Sequence, residues 1–273
     1  MSFEGKALRW SREGEVLEVA LHREPCNELG TTALAELEQL AAVVREGAGG
    51  ARAVLFHSTV PRGFCAGADL RELYDGLRRR REEGSNGDRD AVAREVGDFV
   101  ERIHRVFDTL DTAPLTTVAA VHGFCFGGGF ELALTCDVIV ADRSARFCFP
   151  ELRLGLVPGF GGIPRLRRDV GNAVVRDLLL TGRSLGSDRA HAVGLISQRV
   201  GRGKALDAAR GVAAQAARFD ATTVAAAKRF AKPLPEAELA RERGLFLEMI
   251  QSPRVEAALA RFVADQSPRP YLP

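Results

Sequence analysis

Apolar positions fall into short runs and one-sided stripes that alternate along most of the chain. Val16, Leu17, Val19 and Leu21 follow a turn at Glu13 and Gly14 and predict a strand. Pro25, Asn27 and Gly30 then mark a loop, and Thr31 and Thr32 are candidate caps for a helix. Leu34, Leu37, Leu40, Ala41 and Val44 share one face of that helix, and glycines at 47–50 end it. Residues 53–57 are a short apolar strand bounded by Pro61 and Gly63. A small-residue loop at 62–70 leads into a second helix. A third, over residues 91–110, carries Val92, Val96, Phe99, Ile103 and Val106 on one face.

Further strands are predicted at 117–121, 138–141 and 145–148. Gly127, Gly128 and Gly129 pass from a turn into an apolar helix at 130–134. Beyond Gly162 the pattern is helical, interrupted by turns at Gly182 and Gly186 and by Pro233, Pro235 and Pro253. Strand, loop and helix recur before a helical tail, which places the chain in the α/β class. The pattern alone fits either an open doubly wound sheet or a wound ββα spiral. No fixed-period repeat is visible. The expected division is a core over residues 1–203 and a C-terminal helical region over 204–273.

With 273 residues and 46% hydrophobic positions the chain can bury one large core. The 38 basic and 36 acidic residues leave a net charge of +2, which gives no electrostatic case for nucleic acid or an anionic membrane as partner. The local exception is the run at Arg78, Arg79, Arg80 and Arg81, inside a charged stretch at 74–90 with a break at 84–87; it reads as a solvated segment that shapes access to a site. Five cysteines at 26, 65, 125, 136 and 148 form no CxxC pair and no zinc pattern, so they are expected reduced and no metal is expected. The N-terminus has no signal-peptide pattern and no segment reaches the roughly 20 apolar residues of a spanning helix. A soluble, cytoplasmic protein is expected.

The three glycines at 127–129 invite a nucleotide reading, but position 132 is Leu132 where a dinucleotide loop needs glycine, and Phe130 and Glu131 stand where a phosphate loop needs lysine and a hydroxyl. Glycines entering a helix also leave backbone N–H groups free to face an anion. The loop Cys65-Ala66-Gly67-Ala68-Asp69 makes a similar strand-to-helix transition, and two such turns facing each other would form an oxyanion hole. Glu131 in the first turn of an apolar helix, and Glu151 after an apolar Phe147-Cys148-Phe149-Pro150 run, supply two carboxylates for proton transfer beside a polarised carbonyl. His122, Trp10 and Asp69 read as packing or loop-ordering residues.

At these residues the chain resembles the crotonase (enoyl-CoA hydratase/isomerase) family. The signature stretch is His122-Gly123-Phe124-Cys125-Phe126-Gly127-Gly128-Gly129-Phe130-Glu131-Leu132-Ala133-Leu134-Thr135-Cys136-Asp137, flanked by the 64–70 loop and by the acidic segment Pro150-Glu151-Leu152-Arg153-Leu154-Gly155-Leu156-Val157-Pro158-Gly159. The likeness covers residues 10–230. It implies a spiral of ββα units with a C-terminal helical region that assists trimerisation, a homotrimer or dimer of trimers. It implies an acyl thioester substrate, usually of coenzyme A, and no other cofactor. Carried over residue by residue, Ala68 and Gly128 donate to the thioester oxygen, Glu131 and Glu151 handle water and proton, and Gly159 positions the water. Arg23, Ala66, Asp69 and Leu70 are the expected substrate contacts.

Retention of both glutamates favours hydration or dehydration. An isomerase or decarboxylase using the same enolate is the alternative chemistry, and a non-catalytic scaffold the alternative class. Arg23 is the only basic candidate before Asn27, and Ser267-Pro268-Arg269-Pro270 replaces the family's basic ending, which makes a carrier-protein thioester an alternative to coenzyme A.

Overall fold

The computed structural model describes residues 1–82 and 89–265. The charged break at 84–87 and the 267–270 ending lie outside the described residues. The chain opens with three antiparallel strands, β1 (Ser2–Glu4), β2 (Leu8–Glu13) and β3 (Val16–Leu21), followed by α1 (Thr31–Arg45). Gly30 rather than a threonine is the helix N-cap. No side chain of its own caps the helix; instead the Glu72 carboxylate reaches across and accepts from Thr31 N–H at 3.1 Å. Leu34, Leu37, Leu40, Ala41 and Val44 are all buried, as their spacing predicts.

Three windings then follow. Strand β4 (Ala53–Ser58) is followed by β5 (Gly63–Cys65), α2 (Leu70–Glu82) and α3 (Arg89–Asp111). Strand β6 (Thr116–Val121) is followed by β7 (Phe124–Phe126) and α4 (Gly128–Leu134); β8 (Val138–Asp142) by β9 (Arg146–Cys148), α5 (Gly162–Val170) and α6 (Asn172–Thr181). The first strand of each winding joins a seven-stranded sheet, order β1-β2-β3-β4-β6-β8 and then β11 (Gln198–Val200), parallel from β3 onward. The second joins a four-stranded sheet, order β5, β7, β9 and then β10 (Leu185–Gly186), which precedes α7 (Ser187–Ala192). The open doubly wound alternative is thereby excluded, and a ββα spiral is what forms.

Residues of β4, β6 and β8 are apolar on both faces because both faces are covered. One face meets the main core; the other meets α8 (Ala205–Ala216), whose Ala205, Ala209 and Ala213 recur at four-residue spacing against Leu55, Val118 and Val140. Helices α9 (Ala221–Ala231), α10 (Glu236–Met249) and α11 (Pro253–Ala264) complete the chain; α10 packs on α3 and α5, and α11 on α2. Cys65, Cys125, Cys136 and Cys148 are buried, Cys26 is half-buried, and all five are free thiols. No described helix is long and apolar enough to cross a membrane.

Candidate active site

Strands β5, β7 and β9 of the smaller sheet each deliver one loop to a common point. After β5, Leu29 N–H donates to the Gly67 carbonyl at 2.8 Å and Asp69 N–H to the Leu29 carbonyl at 3.1 Å. In such an extended segment successive N–H groups point to opposite sides, so Ala68 N–H faces away from Leu29. After β7, Gly127 adopts φ +47° and ψ −126°, a conformation only glycine takes without strain, and Gly128 opens α4 with its N–H at the unpaired helix start. Among the described residues, no hydrogen bond uses the N–H of Ala68 or Gly128.

The two loops touch. A Cβ placed on Gly67 (φ +104°) would lie 3.0 Å from Gly128 N, and one on Gly128 would lie 3.4 Å from Ala68 N. Two free backbone donors thus sit side by side, the arrangement needed to hold one anionic oxygen. Asn27 braces the first loop by donating to Ser58 Oγ and the Phe64 carbonyl, both at 2.8 Å, and Cys65 Sγ donates to the Asn27 carbonyl.

Glu131 and Glu151 flank this point. Glu131 is 1% exposed, and its Oε1 accepts from Phe160 N–H at 2.8 Å and Gly162 N–H at 2.9 Å. Burial pushes its carboxyl up to about 7, with those two N–H donors and Arg165 working in the opposite sense. Glu151 lies in a 3₁₀ turn (Glu151–Leu154), tied to the glycine turn because Gly127 N–H donates to the Cys148 carbonyl at the end of β9. A Cβ on Gly127 would stand 2.6 Å from Glu151 Oε1, and Glu151 Oε2 is enclosed with no hydrogen-bond partner. Burial, and then the neighbouring Glu131, raise the Glu151 carboxyl well above the usual carboxylate range.

The expected substrate contacts divide. Arg23 Nη2 pairs with Asp69 Oδ2 at 2.7 Å and its Nη1 donates to the Glu28 carbonyl, so its guanidinium is largely committed within the protein. Asp69 also accepts from Glu72 N–H at 3.0 Å, which anchors the start of α2. Ala66 N–H donates to the Cys26 carbonyl, and Leu70 turns into the core. His122 contacts the Val60 carbonyl through Nε2 at 3.0 Å, a packing role. Ala68 and Asp69 line a cleft of about 760 Å³ that runs between α2 and α3, walled by Leu73, Leu77, Phe99, Phe160 and Phe246.

The carbonyl of Gly159 is engaged by His104 Nε2 at 2.9 Å; burial lowers this histidine to about 4, so the ring is neutral and donates through Nε2–H. Arg165 is fully buried, paired with Asp111 at 2.7 Å and Asp108 at 2.5 Å, and donates to the Phe160 carbonyl at 3.1 Å. Glu242, buried on α10, accepts from Gly161 N–H at 2.7 Å and Ile163 N–H at 2.8 Å. None of these three is singled out by the sequence reading, because a lone charge in a charged helix reads as a solvated face. The one available signal was the placement of Glu242 three residues after Leu239 and four before Phe246, on an apolar stripe.

A family model described as enoyl-CoA hydratase/isomerase matches residues 11–269. The chain belongs to the enoyl-CoA hydratase/isomerase family. A Rhizobium meliloti protein named "Probable enoyl-CoA hydratase" is 34% identical over 271 residues, covering 97% of each chain. The Homo sapiens protein named enoyl-CoA hydratase domain-containing protein 2, mitochondrial, is 38% identical over 205 residues, 75% of this chain and 64% of its own. This chain thus spans less than two thirds of that human relative. The solved enoyl-CoA hydratase of Bacillus halodurans superposes with a TM-score of 0.79 at 21% identity, covering 93% of this chain and 99% of that one, and shows the shared crotonase fold. Among the described residues no group of three or more His, Cys, Asp or Glu is placed to hold a metal ion.

Proposed function

We propose that the chain is an enoyl-CoA hydratase, adding water across the α,β double bond of an acyl thioester or removing it in reverse. The observation that carries this reading is a pair of carboxylates in unequal environments, Glu131 buried and Glu151 half-buried with Oε2 enclosed, beside two adjacent free N–H groups. Identical carboxylates could not divide the roles of acid and base. Glu131, at about 7 and stabilised as an anion by two N–H donors, is the base; Glu151, held protonated by burial, is the acid.

The steps balance on these groups. A water oxygen bonds to the β-carbon while Glu131 takes a water proton; the double-bond electrons move to the thioester oxygen, held by Ala68 and Gly128 N–H. The enolate then collapses and the α-carbon takes the Glu151 proton. Net addition is one hydroxyl and one hydrogen, and return of the proton from Glu131 to Glu151 through solvent resets the pair. Removing one donor from such a hole typically costs about 10²–10³ in kcat. Gly159, next to the Phe160 N–H that fixes Glu131, is assigned to hold the water. No cofactor is required beyond the coenzyme A of the substrate.

The apolar walls of the cleft, entered at Ala68 and Phe160, support an apolar acyl chain as the occupant. Helix α9 has no buried residue and its Phe230 is 92% exposed, which supports self-association through the C-terminal helices, as a trimer or a dimer of trimers. The test is loss of conjugated enoyl absorbance with a panel of 2-enoyl-CoA thioesters, run alongside Glu131→Gln and Glu151→Gln. Turnover by the native protein, reduced about 100-fold or more in both variants, supports the assignment; no turnover with any thioester overturns it.

A further inference from the structure

Helix α10 presents Leu239, Glu242 and Phe246 at i, i+3 and i+7, one face of the helix, to the turn at 159–163. A Cβ on Gly161 would stand 2.7 Å from Leu239 Cδ2, and one on Gly159 would stand 2.6 Å from Phe246 Cδ2, so backbone and helix are in direct contact at both ends. Between these contacts, Glu242 Oε1 accepts from Gly161 N–H at 2.7 Å and Oε2 from Ile163 N–H at 2.8 Å.

The two amides that Glu242 does not take, Phe160 and Gly162, are those that donate to Glu131 Oε1. Four successive N–H groups therefore alternate between two carboxylates on opposite sides of one turn. Each carboxylate satisfies donors left unpaired at the start of α5. Rotating any peptide of the turn to favour one glutamate would take a donor from the other. The spare oxygen of Glu131, Oε2, makes no hydrogen bond among the described residues and is the atom left for a reacting water.

We infer that Glu242 is a positioning residue for the reaction, holding the 160–163 turn in the conformation that directs two N–H groups onto a single oxygen of Glu131. This inference rests on the hydratase reading for the role of Glu131. The C-terminal helical region is thereby part of the active site of its own chain. Glutamine at 242 keeps the shape but meets one of the two N–H groups with its own NH₂, so one donor loses its acceptor.

The experiment compares the full-length native protein with Glu242→Gln and Glu242→Asp, and with Glu238→Gln, which alters only the exposed pairing of α10 with Arg167. Amide hydrogen exchange is read at 160–163, independently of any activity, and kcat and KM are read with a turned-over enoyl-CoA. Expected for Glu242→Gln are faster exchange confined to the turn, by about tenfold or more. Its kcat should fall about 10- to 100-fold, with KM within about twofold of native. Glu242→Asp should show both effects to a smaller degree and decides the matter should the glutamine variant not fold; Glu238→Gln should match native. Native exchange at the turn, native kcat, or acceleration of exchange throughout the molecule in the variants would overturn the inference. If no thioester is turned over even by the native protein, it is the hydratase reading that fails, and the exchange data still decide whether Glu242 holds the turn.

Discussion

Glu131 and Glu151 stand on either side of the Gly127–Gly128 turn with opposite hydrogen-bond complements: one oxygen of Glu131 accepts two N–H groups, whereas Oε2 of Glu151 accepts none. Glu131 is buried and Glu151 half-buried with its Oε2 enclosed, so both carboxyls rise; two N–H donors favour the anion of Glu131, whereas the backbone N–H of Glu151 itself is the one donor opposing its rise. The base must be ionised and the acid protonated. Activity should therefore fall as pH drops through about 7 and fall again at high pH as Glu151 ionises. A kcat–pH profile checks this: Glu151→Gln should lose about 10²–10⁴ in kcat and keep only the acidic limb in its residual activity. A residual profile that is still bell-shaped would remove Glu151 from the acid role.

Burial of Glu151 has a thermodynamic counterpart. Its folded-state pKa is raised above the ordinary 4.5, so the folded protein binds the proton more tightly than the unfolded chain. The contribution of this carboxyl to stability is then fully present below pH 4.5 and is lost as pH rises from there toward the folded-state value. Glu151→Gln has no such titration. The Tm of the variant relative to native should be flat below pH 4.5 and climb as pH increases, measured by calorimetry at matched ionic strength. A difference that does not vary with pH would mean the carboxyl is solvated in the folded state.

The approach of the two loops at the hole can be tested through Gly67. Alanine there must adopt φ +104° with its Cβ 3.0 Å from both Gly128 N and the Phe126 carbonyl. The strain is expected to cost roughly 1–3 kcal/mol in stability, read by denaturant unfolding. Spreading of the two N–H groups should lower kcat about 10²–10³-fold with enoyl-CoA. Retained kcat in a destabilised variant would place the oxyanion elsewhere.

Chain-length preference follows from the cleft between α2 and α3. If an apolar acyl chain lies along Leu73, Leu77 and Phe99, kcat/KM should rise with acyl length by up to about fourfold per added CH₂, the factor equivalent to about 0.8 kcal/mol of burial. Phe99→Trp, which fills part of the cleft, should remove the gain for longer chains and spare the shortest substrate. Equal kcat/KM across the series, in both proteins, would show that the chain exits by another route.

How much of this was legible beforehand depends on whether the cause is local. Strands β4, β6 and β8 are visible as apolar runs because both of their faces are covered. β2 is not, since Arg9 and Glu13 interrupt it on the solvent side and Arg12 ends its apolar face; β5, β7, β10 and β11, of two or three residues each, exist only through pairing with distant segments. At the site, the two glycine turns and the two glutamates are contiguous with their structural cause and stand out in the sequence. Glu242, His104 and Arg165 do not, because their burial is imposed by elements far away in the chain. The Thr31 cap fails for the same reason: the helix begins one residue earlier, with Gly30 as N-cap, and Glu72 from α2 accepts from the first helical N–H, that of Thr31.

The alternating clamp on the 159–163 turn also fixes an order of events during synthesis. Nine of the eleven strands, both glycine turns, Glu131 and Glu151 are encoded before residue 155, yet the acceptors for Gly161 and Ile163 N–H arrive only with Glu242. In a nascent chain still lacking α10 the N–H groups of Gly161 and Ile163 have no carboxylate to accept them, and the turn that aims Glu131 is held from one side only. A ribosome stalled ahead of Glu242 would thus hold a chain that carries Glu131, Glu151 and both glycine turns but lacks half of the acceptors that aim Glu131.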